Sequence, residues 1–453
     1  MDPLPLKEIA EMCGGTLHGS STPLVRRISK DTRTILSGDL YLALRGENHD
    51  GNFYAADAAA KGAAAVWIDD PAALKKLPEG YPAILVDNSL TALHRLAAAW
   101  RDRLALKVAC VTGSSGKTST KEFTAAVFSV RYRVVRTEGN LNNHIGVPLS
   151  ILAASAADDA AVWEIGMSHP GEIAPLAALV RPDLVIITNI GVAHIESMGS
   201  REAIAKEKGM LVEAVSRHGA VILPAEDDFS SALAARSKAR VIKAGLTSGS
   251  VTASDVTMDM EGCHFTLKSA GESVPAWLPT PGLHMVKNAL QAVAAGLEFG
   301  LSLEECAEGL ASARLSGGRL GRRTIRGITL FDDTYNANPD SVEAALTTLA
   351  ALATDGRRIA VLGRMGELGS HAEAGYRRVG LAAGKTVHTV IAVGPETAPL
   401  QKAARQAGLQ VHETPDTDAA AILLRELARA GDLVLVKGSR CARMERVIQH
   451  FEN

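Results

Sequence analysis

Short apolar runs separated by turn residues open the chain. LYLAL from Leu40, AAAVWI from Ala63 and AILV from Ala83 read as strands of a small α/β unit. The Ala/Arg-rich stretch Thr91 to Arg103 places apolar residues at helical spacing, and the β-like run Lys107 to Thr112 follows at once. A first boundary is expected near residue 105. Beyond it, VACVTG, AVWEIG, DLVIITNIG and AVILP are buried-strand runs separated by helical segments, the pattern of a mostly parallel sheet with crossovers. Residues 240 to 280 are richer in Ser, Thr, Gly and strict alternation and predict a β-rich extension, followed by a helix from near His284. The basic, turn-rich RLSGGRLGRR (Arg314 to Arg323) breaks the pattern, and βα alternation resumes in ITLFDD, RRIAVLG, TVIAVG and DLVLVKG. The expected fold is therefore α/β in three domains: 1–105, a central 106–312 built on a parallel sheet, and a Rossmann-like 313–453. A length of 453 residues fits three domains of about 150 residues each.

Composition narrows the partners. With 48 basic and 50 acidic residues the formal net charge is -2, which leaves no field to hold a polyanion, so nucleic acid is not an expected partner. A hydrophobic content of 47% with 4% aromatics fits helices packed on sheets rather than disorder. Cys13, Cys110, Cys263, Cys306 and Cys441 match neither a disulfide framework nor zinc-ligand spacing, and read as reduced packing residues. The start MDPLPLKEIAEMCGG lacks the basic and apolar regions of a signal peptide, and no run of about 18 apolar residues occurs, so a cytoplasmic protein without a membrane span is expected.

The strongest chemical signal is VACVTGSSGKTSTKEF. An apolar strand, a Gly/Ser loop (Thr112, Gly113, Ser114, Ser115, Gly116) and then Lys117, Thr118 and Ser119 opening a helix point backbone N–H groups and a helix N-terminus at phosphate oxygens. Lys117 supplies a mobile cation and Thr118 a hydroxyl for Mg²⁺. The spacing is T-G-x-x-G-K-[ST] rather than the longer general form, since Val111 stands five residues before Gly116. An ordinary Gly/Ser turn is the alternative, and the strand before and helix after weigh against it.

Two further strand ends, AVWEIGMSHPGE and TNIGVAHIESMGS, carry Glu164 and His194 where parallel sheets present ligands. They could complete a Mg²⁺ site with phosphate oxygens; taken singly, a solvated Glu and an ordinary loop His explain them as well. LFDDTYNANPDSVEAAL sets Asp332, Asp333, Tyr335, Asn336 and Asn338 between a strand and a helix that Asp340 or Ser341 would cap, a cluster suited to ribose, purine or peptide recognition. LVLVKGSRCARMERV places Lys437, Gly438, Ser439 and Arg440 after a buried strand, where either an anion site or a basic turn fits.

Taken together these segments resemble the Mur ligase superfamily over essentially the whole chain and in order. ISKDTRTILSGDLYLALRGENHDGNFYAADAAAKGA resembles its UDP-sugar-binding domain, and TGSSGKTS, TEGNLNNHIGVPLS, EIGM, TNIGVAH, GLHMVKNAL and VLVKGSR follow its later motifs. DDTYNANPDS with VLGRMGELG resembles the branch that adds D-alanyl-D-alanine to UDP-N-acetylmuramoyl-tripeptide. A sibling that recognises diaminopimelate would show D-Y-A-H-T-P and D-N-P-R, and neither is present.

The resemblance implies an ATP-dependent ligase and assigns roles position by position. Gly113 to Ser119 would hold the ATP phosphates, with Lys117 on the β and γ groups and Thr118 on the first of two Mg²⁺ ions. Glu164 and His194 would ligate Mg²⁺, and Asn288, Arg319 and Asp333 would surround adenine, γ-phosphate and ribose. Asn140, Asn142 and Asn143 would face the acceptor and nucleotide, and Ser29, Asp31 and Arg33 would lie near uridine. Asn336, Asn338, Lys437 and Ser439 are the expected contacts of the peptide substrates. The family's CO₂-carbamylated lysine, a metal-side carboxylate, matches Lys208 in AIAKEKGML, which residue pattern alone would place on a helix surface. The chain departs from the family pattern at Glu207, Met210, Met285 and Arg364.

A carboxylate has no good leaving group, so the γ-phosphoryl of ATP would first be transferred to it, and the amine would then attack the acyl phosphate. A monomer is expected, with its C-terminal domain closing over bound substrates to exclude water. Two rivals remain: another amide ligase on this scaffold, such as a folylpolyglutamate synthase, against which DDTYNANPDS argues, and a P-loop kinase or regulatory nucleotide-binding module, which would leave the first hundred residues without a role.

Overall fold

The computed structural model describes residues 1–452, which separate into two compact units. The first comprises Met1–Val108, Tyr132–Ile165 and Ala174–Pro182; the second comprises Ala109–Arg131, Gly166–Ile173 and the chain from Asp183 onward.

In the first unit a five-stranded sheet runs in the order Thr16–His18, Ala83–Leu85, Ala65–Ile68, Asp39–Leu42, Arg27–Ser29. Only the first pairing is antiparallel. Tyr41, Ala43, Val66, Ile68 and Ala83 join helix residues Ala55 and Ala58 in its core, which is why the central strands read as unbroken apolar runs. The helix Ser89–Arg103 starts where the Asn88 side chain accepts the Thr91 N–H. A parallel pair, Val134–Arg136 with Ala160–Glu164, completes the unit.

The second unit holds two sheets. One orders its strands Glu272–Leu278, Cys263–Ser269, Val251–Met258, Arg240–Ala244, Ala220–Pro224, Leu184–Ile187 and then the segment from Ala109 to Thr112. The Ser/Thr-rich extension continues this sheet: Arg240–Ala244 and the start of Val251–Met258 pair parallel, and Cys263–Ser269 and Glu272–Leu278 then follow antiparallel. Ala270 and Gly271, both at positive φ, form the two-residue turn of the last hairpin.

The other sheet runs Gly321–Ile325, Ile328–Asp333, Leu433–Lys437, Arg358–Leu362, Thr389–Val393, Gln410–Thr414, with only the first pair antiparallel. Ile328–Asp333 and Arg358–Leu362 flank Leu433–Lys437 on opposite sides, the kind of switch point at whose carboxyl ends open α/β sheets bind ligands. Ile359, Val361, Val434 and Val436 pack there against Leu424, Val447 and Phe451. Cys13, Cys263 and Cys306 are buried free thiols, Cys441 is an exposed one, and Cys110 is buried in its strand. Among the described residues no helix is long and apolar enough to cross a membrane.

Candidate nucleotide and ligase site

The glycines set the shape of the loop after Thr112. Gly113 has φ +153°, and a Cβ there would stand 1.8 Å from Thr188 Oγ1; Gly116 has φ +80°, and a Cβ would meet the Asn288 amide at 2.8 Å. The backbone therefore comes close to both neighbours only because no side chain intervenes. Gly116 leads into the helix Lys117–Phe128, whose first turn carries no acidic residue, so its N-terminal dipole is not already neutralised. Thr112, Ser114, Thr118 and Ser119 are buried. Lys117 Nζ donates to the Gly113 carbonyl at 2.8 Å, folding back over the loop it follows.

The loop is held by its neighbour strand. Asn189, not singled out from sequence, accepts the N–H of Ser114 on its carbonyl at 3.0 Å and on its side-chain oxygen at 3.1 Å, and the N–H of Ser115 at 2.9 Å. Thr188 Oγ1 donates to the Ser115 carbonyl, and Ser114 Oγ accepts the Gly191 N–H. The TNIGVAH segment is itself braced: Asp227 accepts the Ile190 N–H at 2.8 Å, and Arg201, paired with Asp228, donates to the Ile190 carbonyl. His194 follows at φ +62°, with Nδ1 2.5 Å from a Glu367 carboxylate oxygen. No linear spacing announces such a brace; the only signal is a run of polar residues after buried strands.

The second sheet of the unit reaches the same loop. Arg319 Nη2 donates to Thr118 Oγ1 at 2.8 Å while its guanidinium stacks 4.0 Å from the Tyr335 ring centroid. Asn338 Nδ2 donates to Ser115 Oγ at 3.0 Å. Asn338, rather than Asp340 or Ser341, is the cap of the helix Pro339–Ala351: its side chain accepts the Ser341 N–H, Ser341 Oγ accepts the N–H of Asn338 in return, and Pro339 fills the first helical position. Asp340 is freed from capping and accepts the Val192 N–H at 3.1 Å.

Asp333 and Lys437 form a largely buried ion pair at 2.6 Å, and Lys437 also donates to the Asn336 carbonyl at 2.9 Å. Asp332 instead accepts from Thr334 Oγ1 at 2.7 Å. Ser439 Oγ accepts the Gly366 N–H and donates to the Ala337 carbonyl, so Lys437 and Ser439 lock the DDTYNAN turn into place. His284 senses this pair: burial pushes its imidazole down to about 4, with Asp333 opposing and Lys437 reinforcing the shift.

Lys208 sits on the helix Arg201–Glu213 and is fully buried, not on the surface its local pattern predicts. Its Nζ has no hydrogen-bond partner among the described residues. Burial first, and then the charge of Lys117, hold the amine well below the ordinary lysine value, with Glu207 opposing. Glu207 faces elsewhere: its carboxylate accepts the N–H groups of Gly171 and Ile173 at 3.0 and 2.8 Å, anchoring the loop before that helix. Met210 lies within 3.5 Å of an Arg236 nitrogen whose guanidinium packs where Gly209 has no side chain.

In the first unit, Glu164 ends its strand buried, with its carboxylate accepting from Asn142 Nδ2 at 2.7 Å. Asn143 accepts the N–H of Gly146 at the start of the next helix, and Asn140 is exposed, its carbonyl accepting the Asn142 N–H. Ser29, Asp31 and Arg33 cluster: Ser29 Oγ donates to the Asp31 carbonyl, and the Arg33 guanidinium pairs with Asp31, holding its carboxyl down at about 2.

A glycine-shaped phosphate loop at a strand–helix junction, braced by two α/β sheets, is the arrangement of a P-loop nucleotide-binding protein. The chain belongs to the Mur ligase family. Its models match in three pieces: the Mur ligase family catalytic domain over residues 25–101, the middle domain over 111–296 and the glutamate ligase domain over 318–440. The chain is 36% identical over 451 residues to the UDP-N-acetylmuramoyl-tripeptide--D-alanyl-D-alanine ligase of Bacillus subtilis, covering 98% of this chain and 97% of that one. The Escherichia coli enzyme of the same name is 34% identical, with 99% and 98% covered. Among solved structures, MurF from Acinetobacter baumannii superposes with a TM-score of 0.89 at 30% identity, covering 100% of this chain and 99% of that one. MurF ligase from Thermotoga maritima in complex with ADP gives 0.82 at 26% identity, with 94% and 97% covered.

Proposed function

We propose that the chain uses ATP to activate the peptide carboxylate of UDP-N-acetylmuramoyl-tripeptide as an acyl phosphate and joins it to the amine of D-alanyl-D-alanine. The product is the UDP-linked pentapeptide precursor of peptidoglycan. The observation that carries the reading is the phosphate loop, in which Gly116, Thr118 and Ser115 stand directly against Asn288, Arg319 and Asn338 and Lys117 folds back over the loop. The curated relatives that match over nearly the whole length bear the name of this reaction.

Backbone N–H groups from Gly113 to Ser119 and the helix N-terminus hold phosphate oxygens, and Lys117 neutralises the group in transfer. Arg319 adds a second cation beside Thr118. No Ser or Cys nucleophile is needed, because transfer requires positioned and neutralised oxygens. Among the described residues no three His, Cys, Asp or Glu side chains converge to hold a metal by themselves. That fits Mg²⁺, which keeps waters and takes few protein ligands when phosphates supply the rest. Thr118 and His194 would hold it in the second unit, and Glu164 keeps the carboxylate role its family position gives it. Bound Mg²⁺ supplies charge neutralisation at the phosphoryl oxygens.

Lys208 is the residue we assign to carbamylation. The lone pair of a neutral amine forms a C–N bond to CO₂ while one C=O π bond opens onto oxygen, and the N–H bond breaks with its proton released to solvent, giving R–NH–COO⁻. The neutral form is the one the burial of Lys208 favours, and the new anion would meet the positive charge that now opposes the ammonium. Asp333 would bind ribose, Asn336, Asn338, Lys437 and Ser439 the peptide end, Asn140, Asn142 and Asn143 the acceptor, and Ser29, Asp31 and Arg33 the uridine. We assign domain boundaries near residues 105 and 313, a monomeric state and a cytoplasmic location to the same reading.

The test is ADP release with UDP-N-acetylmuramoyl-tripeptide and ATP–Mg²⁺, with and without D-alanyl-D-alanine. Turnover is expected only when both acceptor molecules are present, and Lys117→Ala should abolish it with the fold intact. Steady turnover without the dipeptide, or none with every component present, would overturn the reading.

A further inference from the structure

His194 and Glu367 meet across the second unit from the ends of different sheets. Both are non-glycine residues at positive φ, +62° and +59°. Such a residue carries backbone strain, which persists only where surroundings enforce it. The surroundings here are mutual. The Glu196 N–H donates to the Glu367 carbonyl at 3.2 Å, and Gly369 lies so close to Glu196 that a Cβ would stand 2.9 Å from its side chain. Between these backbones Glu367 Oε2 lies 2.5 Å from His194 Nδ1. That nitrogen is shut off from solvent, and beyond this close approach it has no hydrogen-bond partner among the described residues.

We propose that Glu367 is a positioning residue for His194: its carboxylate holds the imidazole proton on Nδ1 and leaves the Nε2 lone pair for the Mg²⁺–phosphate group. The inference rests on the role given to His194 above. Its physical basis is that a neutral imidazole carries one proton, and the hydrogen bond made by one ring nitrogen decides what the other can do. A carboxylate accepts only, so the nitrogen facing it must be the one that bears hydrogen. Because His194 follows the strand Leu184–Ile187 and Glu367 follows Arg358–Leu362, the contact makes the ligand geometry conditional on the two sheets being seated together. Loss of that seating frees the ring to rotate and to exchange its proton between nitrogens. The chain would then hold ATP but present no ordered imidazole.

The experiment uses full-length protein labelled with ¹⁵N at histidine, at about pH 8.5, two units above the ordinary imidazole value. The His194 resonances are assigned by their loss in His194→Ala. Wild type should show the Nδ1–H pattern; Glu367→Leu, which fills the space without an acceptor, should lose it, and Glu367→Gln should restore part of it through its carbonyl. In parallel, affinity for ATP with Mg²⁺ should fall about 10–100-fold in Glu367→Leu, while affinity for ATP in EDTA stays within twofold. An unchanged Nδ1–H signal, or an equal loss with and without Mg²⁺, overturns the proposal. If His194→Ala retains full turnover, the role of His194 itself fails; if that variant is inactive while Glu367→Leu matches wild type, only the present inference fails.

Discussion

Replacing Lys208 with Met should make the protein more stable and inactive at once. Lys208 is fully buried and its Nζ has no partner. A buried polar group left without a hydrogen bond costs about 1–3 kcal/mol even when neutral, and Met keeps the length of the side chain without the polar atom. A gain of about 1–3 kcal/mol is therefore expected at pH 7. The pH dependence follows from linkage. Burial holds the folded-state amine well below 10.5, whereas the unfolded chain keeps its proton up to that value, so folding releases a proton. Stability of the wild type must then rise with pH across the window between the depressed value and 10.5, by up to about 1.4 kcal/mol per unit. Lys208→Met lacks this rise. Urea midpoints at pH 7 and 8.5 in CO₂-free buffer measure both effects, below the range where the buried thiols of Cys13, Cys263 and Cys306, all raised by burial, oppose them. The same preparations are assayed for ADP release after CO₂ is readmitted. A variant less stable than wild type would refute the burial argument, and a variant with wild-type turnover would refute the catalytic one.

Gly113→Ala places a methyl 1.8 Å from Thr188 Oγ1 and 3.0 Å from the Thr188 backbone nitrogen, so the loop cannot keep its path; calorimetry should show ATP affinity reduced at least about tenfold, one step of 1.4 kcal/mol. Glu207→Ala strands the N–H groups of Gly171 and Ile173 and should cost about 1–3 kcal/mol in urea melts; an unchanged midpoint would show that water replaces the carboxylate. His284 is held at about 4 in the folded state against 6.5 when unfolded, so the unfolded chain takes up its proton first and stability falls as pH drops from 6.5 toward 4. His284→Leu should flatten that fall between pH 6.5 and 5, before most carboxylates titrate.

The strands and the phosphate loop were legible because their causes are local. A parallel strand buried on both faces must be a continuous apolar run, and Val108 to Val111 is one; a loop that approaches phosphate must lack side chains, and Gly113 and Gly116 advertise that. Asn338 was legible as part of a polar cluster, but not as the cap, since Asp340 and Ser341 are equally good capping residues in isolation. What decided between them was Val192, distant in sequence, which takes Asp340. Lys208 was invisible for the same reason: its neighbours Lys206 and Glu207 give a surface pattern, and only the packing of the helix shows that Lys208 points inward. Asn189, Asp227 and Glu367 act through backbone groups or a single ring nitrogen far along the chain, and no period or spacing encodes such pairings.

Among the positions where the chain breaks local rules, two groups contrast. Ala270 and Arg326 each share a two-residue hairpin turn with a glycine, and Asp255 lies at an irregularity in the strand Val251–Met258; for these, positive φ is what the turn or bulge demands. Glu367 belongs to no hairpin turn, His194 lies in the hydrogen-bonded turn Val192–Ile195 that opens a short helix, and Lys208 sits in a regular helix whose burial it opposes. A fold under selection for stability alone would relax all three, because Asn or Gly at the first two and any apolar residue at the third would be less costly. That these three costs fall near the phosphate loop, and that His194 and Glu367 share a contact, is how a site held against its own local preferences should look.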